Sequence, residues 1–132
     1  MSKIKVLIFG LPGSGKTTFA KELCLNKNYA NFNGDIIRNI FNEKGFEEKD
    51  RMEQVIRMEK LCNMTDKVSV VDFVCPYNRV RNFYDITVFM DTIKEGKYKN
   101  TNKIFQRPFK CDYHIKDFNY KKIIKKIQKK LV

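Results

Sequence analysis

Histidine is almost missing from this chain of 132 residues: His114 stands alone. The four cysteines, Cys24, Cys62, Cys75 and Cys111, include no C-x-x-C pair. A structural zinc site needs clustered Cys or His ligands and has no framework here. Scattered thiols fit a reduced, mostly buried state and a cytoplasmic location. Long apolar runs are missing too. The longest, near Val6–Phe9 and Val68–Val74, fall far short of the ~20 residues a membrane helix needs. No basic leader with an apolar stretch and small-residue cleavage site opens the sequence, so secretion is not expected. Neither an internal repeat nor a Ser/Gly-rich linker interrupts the chain, and its length suits one domain over residues 1–132. Arginine is scarce, with 6 residues against 21 lysines and 12 asparagines. That bias accompanies AT-rich coding sequence, so the pI of about 9.6 says little about partners.

What is present describes a globular protein: 42% apolar and 32% charged residues exclude disorder and collagen-like structure. The net charge of +12 is uneven, about +2 over residues 1–93 and +10 over residues 94–132. A basic surface favours anionic partners, which include nucleic acid, membrane surfaces and phosphorylated metabolites.

Apolar patterning predicts strands at Lys3–Phe9, Tyr29–Asn33, Val68–Val74, Asp85–Met90 and Tyr113–Ile115. Helical spacing predicts helices at Thr17–Asn26, Asp35–Phe41, Glu47–Lys67 and Asn119–Leu131. Residues 91–112 show no long period and many lysines, and read as a basic loop or lid. Strands alternating with helices predict an α/β fold: a three-layer α/β/α domain with a mainly parallel five-stranded sheet. In the terminal helix Ile123, Ile124, Ile127 and Leu131 share a side, so packing on the sheet is favoured over a nucleic-acid or lipid contact by the Lys121–Lys130 cluster.

The segment Gly10-Leu11-Pro12-Gly13-Ser14-Gly15-Lys16-Thr17 fits G-x-x-x-x-G-K-[ST] between a strand and a helix. Glycines let the backbone approach phosphate oxygens, and successive N–H groups form an anion-binding nest at a helix N-terminus. Residues 10–17 with Thr18 are therefore expected to bind ATP. Lys16 would reach the β- and γ-phosphates, and the Thr17 hydroxyl would ligate Mg²⁺. Asp72, after three apolar strand residues, resembles a Walker B acid and is the second candidate metal ligand. The Val68–Val74 strand is expected beside Lys3–Phe9, which brings Asp72 and Cys75 to the loop.

Three later stretches carry a resemblance. Asn33-Gly34-Asp35-Ile36-Ile37-Arg38 resembles the D-G-D-x-x-R segment of adenylylsulfate kinases. Gly45-Phe46 through Asp50-Arg51 and Gln54 resembles their G-F-S-x-x-D-R-x-x-N. Phe73-Val74-Cys75-Pro76-Tyr77, with Arg81 beyond, resembles F-I-S-P-Y and a following arginine. The match covers about residues 3–92 and is similar to a compact subset of the family, of the kind found in phages and some bacteria. It implies transfer of the ATP γ-phosphoryl group to the 3′-hydroxyl of adenosine 5′-phosphosulfate, in a protein that acts on a small molecule and can be a homodimer. It implies Lys16 and Asp35 as catalytic groups, and Asp35, Arg38, Phe46, Arg51, Gln54, Val74, Cys75 and Arg81 at the acceptor. Asp35 can also cap the following helix, though the motif favours the functional role; Phe46 can be a core residue, and the arginines can be surface ion pairs. Cys75 has no neighbouring base in the sequence and fits a small buried thiol better than a nucleophile. Two departures fall on the acceptor side: Asn33 replaces an acid, and Gln54 replaces an asparagine. They leave open a kinase for another nucleotide or small metabolite; the basic C-terminal third leaves open a non-catalytic nucleotide- or nucleic-acid-binding protein.

Overall fold

The computed structural model describes residues 3–132. Five strands, β1 (Lys5–Phe9), β2 (Ala30–Asn33), β3 (Ser69–Asp72), β4 (Ile86–Met90) and β5 (Tyr113–Ile115), form one sheet in the order β2-β3-β1-β4-β5. Every pairing is parallel, so the sheet is wholly rather than mainly so. β3 lies beside β1 with Ile8 opposite Asp72, as the apolar runs suggested.

Strand side chains alternate between two cores. Val6 and Ile8 point to one face with Val70, Val88 and Met90; Leu7 and Phe9 point to the other with Val71 and Phe89. The first face is covered by α1 (Lys16–Cys24) through Phe19, Ala20 and Leu23, and by α6 (Lys121–Lys130) through Ile124 and Ile127. The second is covered by α2 (Gly34–Ile40) through Ile37, and by α3 (Glu48–Asn63) through Val55, Met58 and Cys62. Each fully buried side chain of this kind contributes about 1.5–3 kcal/mol of transfer free energy. Six lysines of α6, Lys121, Lys122, Lys125, Lys126, Lys129 and Lys130, stay exposed around its buried stripe.

Several element ends differ from expectation. α3 stops at Asn63, because the chain turns at Met64 and bends at Asp66 and Lys67 before β3. Of the apolar side chains of α2 and its C-cap, only Ile37 is buried, and Ile36, Ile40 and Phe41 stay exposed: a helix this short shows the core one large side chain. Two helices were not expected, α4 (Asn78–Arg81) and α5 (Lys99–Ile104). The second lies inside the supposed loop, and one buried residue, Thr101, is too little to leave a period. All four cysteines are free, and no helix among the described residues is long and apolar enough to cross a membrane.

Candidate active site

β1, β2 and β3 all end at the same edge of the sheet, and that edge opens into a cleft of about 700 Å³. In doubly wound sheets ligands bind in this position, beyond the carboxyl ends of the strands. The loop after β1 turns through Gly13 (φ 87°) and Gly15 (φ 94°), a left-handed conformation that favours glycine. Gly15 then caps α1, aiming the free N–H groups of the first turn at the cleft.

Pro12, Gly13, Gly15, Lys16, Thr17 and Thr18 line the cleft, while Gly10, Leu11 and Ser14 shape the loop behind it. Lys16 Nζ donates to Leu11 O at 2.9 Å. Burial pushes its pKa down to about 8, against the opposing pull of Asp35 and Asp72.

Asp72 is gripped by three donors. Asn31 Nδ2 reaches Oδ1 at 3.1 Å; Asn33 Nδ2 and Thr17 Oγ1 reach Oδ2 at 2.6 and 3.3 Å. Burial raises its pKa to about 6, and these hydrogen bonds hold the rise in check. Asn33 also donates to Thr17 Oγ1 at 3.1 Å, and its Oδ1 accepts the Ile36 N–H at 3.0 Å. Asn33 is thus the N-cap of α2, which corrects the alternative that Asp35 caps it. Asp35 sits exposed in the first turn, facing the cleft. Gly34 separates the two because a Cβ there would stand 2.5 Å from Phe73 Cβ.

The far wall comes from α2, α3 and the turn between them. Arg38 donates to Gly45 O at 2.8 Å, and its guanidinium lies 4.4 Å from the centroid of the Phe46 ring. Arg51, 8% exposed, donates through Nε to Phe46 O at 2.7 Å and through Nη2 to Thr101 Oγ1 at 3.2 Å. Phe46 is not a core residue: it is 52% exposed, with Tyr98 stacked 6.1 Å away at 23°. Gln54 donates to Gly34 O at 2.9 Å and accepts from Arg57 at 3.0 Å, so both ends of its amide are engaged by the protein. Val74 and Cys75 close the floor. Cys75 is fully buried at φ 45°, and desolvation pushes its thiol up to about 12.

Arg81 is the expected site residue that lies elsewhere. It is 5% exposed, does not line this cleft, and donates to Cys75 O, Asn78 Oδ1 and Gln106 O at 2.9, 2.8 and 2.8 Å. Its guanidinium carbon lies 4.2 and 5.1 Å from the ring centroids of Phe9 and Phe105, which stack on each other at 6.4 Å. In this place it braces the β3–α4 turn.

Sequence reasoning marked residues 91–112 as a loop or lid without naming the residues that form the roof. Ile93, Glu95, Gly96, Lys97, Tyr98 and Thr101 line the cleft, and Thr92 Oγ1 donates to Ser14 O at 2.7 Å. Gly96 and Asn102 exchange two 2.8 Å hydrogen bonds, and Asp91 pairs with Arg107 at 2.8 Å across the base of the segment. Of Lys94, Lys97, Lys99 and Lys103, only Lys97 lines the cleft. The signal that could have found the roof is Tyr98, an aromatic residue within a lysine-rich stretch.

A family model described as adenylylsulphate kinase matches residues 2–107. No curated protein matches. Among solved structures, the Mycobacterium tuberculosis APS kinase CysC in complex with AMPPNP and APS is 19% identical, with TM-score 0.76, covering 96% of this chain and 95% of that one. Shikimate kinase from Aquifex aeolicus is 18% identical, with TM-score 0.65 and 97% and 96% coverage. A gluconokinase from Sinorhizobium meliloti is 13% identical, with TM-score 0.65 and 97% and 91% coverage. At these identities the structural likeness speaks for the fold alone.

Proposed function

Because the chain belongs to the adenylylsulphate kinase family, and is an ATP-dependent phosphotransferase, we propose that it phosphorylates adenosine 5′-phosphosulfate on its 3′-hydroxyl. The carrying observation is that one cleft brings the phosphate loop together with Asp35, Arg38, Arg51 and Phe46. The acceptor oxygen bonds to the γ-phosphorus, the β–γ bridging bond breaks, and ADP leaves. The hydroxyl proton passes toward Asp35, the exposed carboxylate between loop and acceptor wall. Lys16 and the loop amides offset charge on the moving phosphoryl group, and the cleft aligns the two substrates. Arg38 and Arg51 keep guanidinium N–H groups for the acceptor's phosphosulfate, and Phe46 and Tyr98 offer flat faces to its adenine.

Mg²⁺ suits the oxygen donors gathered here. Thr17 Oγ1 and Asp72 Oδ2 lie 3.3 Å apart at the mouth of the loop, a hydroxyl and a carboxylate of the kind this hard cation prefers. Thr17 and Asp72 would hold it, and it would neutralise triphosphate charge.

ADP release from ATP·Mg²⁺, measured with and without adenosine 5′-phosphosulfate and with the product weighed by mass spectrometry, tests this reading. Strong stimulation and a 3′-phosphorylated product are expected. A second reading, a kinase for another nucleotide or small metabolite, draws on Gln54, whose amide is engaged at both ends within the protein. Stimulation by a different acceptor, and not by adenosine 5′-phosphosulfate, would select it.

A further inference from the structure

Asn33 and Asp72 face each other as register partners of β2 and β3, and both border the cleft beside Thr17. Every polar atom of the two side chains is committed. Asn33 Nδ2 donates to Asp72 Oδ2 at 2.6 Å and to Thr17 Oγ1 at 3.1 Å, while its Oδ1 accepts the Ile36 N–H at 3.0 Å. Asp72 Oδ2 also accepts from Thr17 at 3.3 Å, and Oδ1 accepts from Asn31 at 3.1 Å. Asn31 directs its other hydrogen to Val70 O at 2.9 Å.

Among acids and amides, this network admits one of each. Two carboxylates would meet at the 2.6 Å contact with no hydrogen between them, and like charges at that range repel. Two amides would set the N–H of the new one against Asn31 or Asn33, both of which already donate here. An apolar residue in place of Asp72, which is 2% exposed, would leave those donors without an acceptor.

The exchanged arrangement satisfies the network equally. An amide on β3 would donate to a carboxylate on β2 and to Thr17, and its oxygen would still accept from Asn31. The carboxylate on β2 would keep the Ile36 N–H, as acids do at helix N-caps, and would take the Thr17 hydroxyl hydrogen. Each bond survives or reverses direction, and one negative charge stays beside Thr17.

This step rests on the reading above that Thr17 and Asp72 hold the divalent cation. We propose that Asn33 and Asp72 act as one exchangeable unit. The cation site requires a single negative charge beside Thr17, this chain places it on β3, and Asn33 is the positioning residue that holds it there.

Two readouts on Asn33→Asp, Asp72→Asn and the double exchange test this. The first is unfolding by urea in EDTA, where no cation contributes. Each single variant should lose about 1 M in midpoint, and the double exchange should recover most of it. The second is calorimetric binding of a non-hydrolysable ATP analogue with Mg²⁺ and with EDTA. Asp72→Asn should cut the tightening that Mg²⁺ confers by about tenfold, and the double exchange should restore it to within about threefold of native. Losses that simply add in the double exchange would overturn the proposal, because the two residues would then act independently. So would a recovered urea midpoint without recovered Mg²⁺ dependence, since the pair would then serve the fold alone. A native chain that binds the analogue no more tightly with Mg²⁺ would overturn the cation-site reading itself, and this proposal with it.

Discussion

Lys16 and Arg81 are both largely buried cations, and the protein holds them in opposite ways. Lys16 has one protein partner, a loop carbonyl, and faces the cleft. Arg81 has a partner for each guanidinium nitrogen and packs against two aromatic rings. Both matched family motifs in the sequence; only Lys16 lines the cleft with the phosphate loop, and it does so with a single protein bond. A desolvated cation with free donors is a binding group waiting for an anion, whereas a saturated one is part of the framework. Arg38 and Arg51 lie between these extremes: each braces a backbone carbonyl and also lines the cleft.

Four experiments would break or sharpen this contrast. The largest effect is expected of Lys16→Ala, which should cut phosphoryl transfer by about 10²–10³-fold, the cost of losing one charge-stabilising donor. Its urea midpoint should not fall, since a poorly solvated charge is removed; a wild-type rate would sink its assigned role. Arg81→Met should do the reverse. It orphans the Cys75 and Gln106 carbonyls and should cost about 3 kcal/mol in urea denaturation, while KM for both substrates in the folded fraction stays within twofold. A large rise in either KM would return Arg81 to the site.

Thr101→Val tests the intermediate case. It removes the acceptor of the Arg51 Nη2 bond without touching the phosphate loop. Steady-state kinetics should show acceptor KM raised about fivefold, the worth of one hydrogen bond to a charged donor relaxed in part by water, with ATP KM unchanged; Thr101→Ser should restore it. A matching change in ATP KM would mean that the roof serves the donor as well.

The fourth effect is a pH dependence. In the free protein burial holds the Lys16 pKa near 8, below its value of 10.5 in the unfolded chain. Phosphate binding favours the charged lysine, so above pH 8 the ligand must draw in a proton and affinity should fall, by up to about tenfold per unit. The same shift makes the ligand-free fold gain stability between pH 8 and 10.5, where the unfolded chain binds more protons at this residue. Calorimetric titration with tripolyphosphate from pH 7 to 9.5 should show the decline, and Lys16→Met should flatten it.

The donor side was more legible than the acceptor side because it is nearly all local. The strand, the turn and the helix that make the phosphate loop are consecutive, and each residue type has a stated job. Asn33 shows the limit of that legibility. Its sequence position suggested a lost carboxylate; the structure shows one amide capping α2 while clamping Asp72 and Thr17, across 39 and 16 residues of chain. α5 was illegible for another reason: with six residues and one buried side chain it leaves no apolar period. Its role comes from where Tyr98 and Thr101 land, against Phe46 and Arg51.

By itself, the sequence determined the parallel α/β architecture, the phosphate loop and the pairing of β1 with β3, because these depend on apolar periodicity and on glycine conformations within short windows. Tertiary structure alone decided which cations are free and which are saturated, and what roofs the cleft. Those properties depend on carbonyls, rings and carboxylates contributed by distant segments, and no local pattern records which of them a side chain will meet.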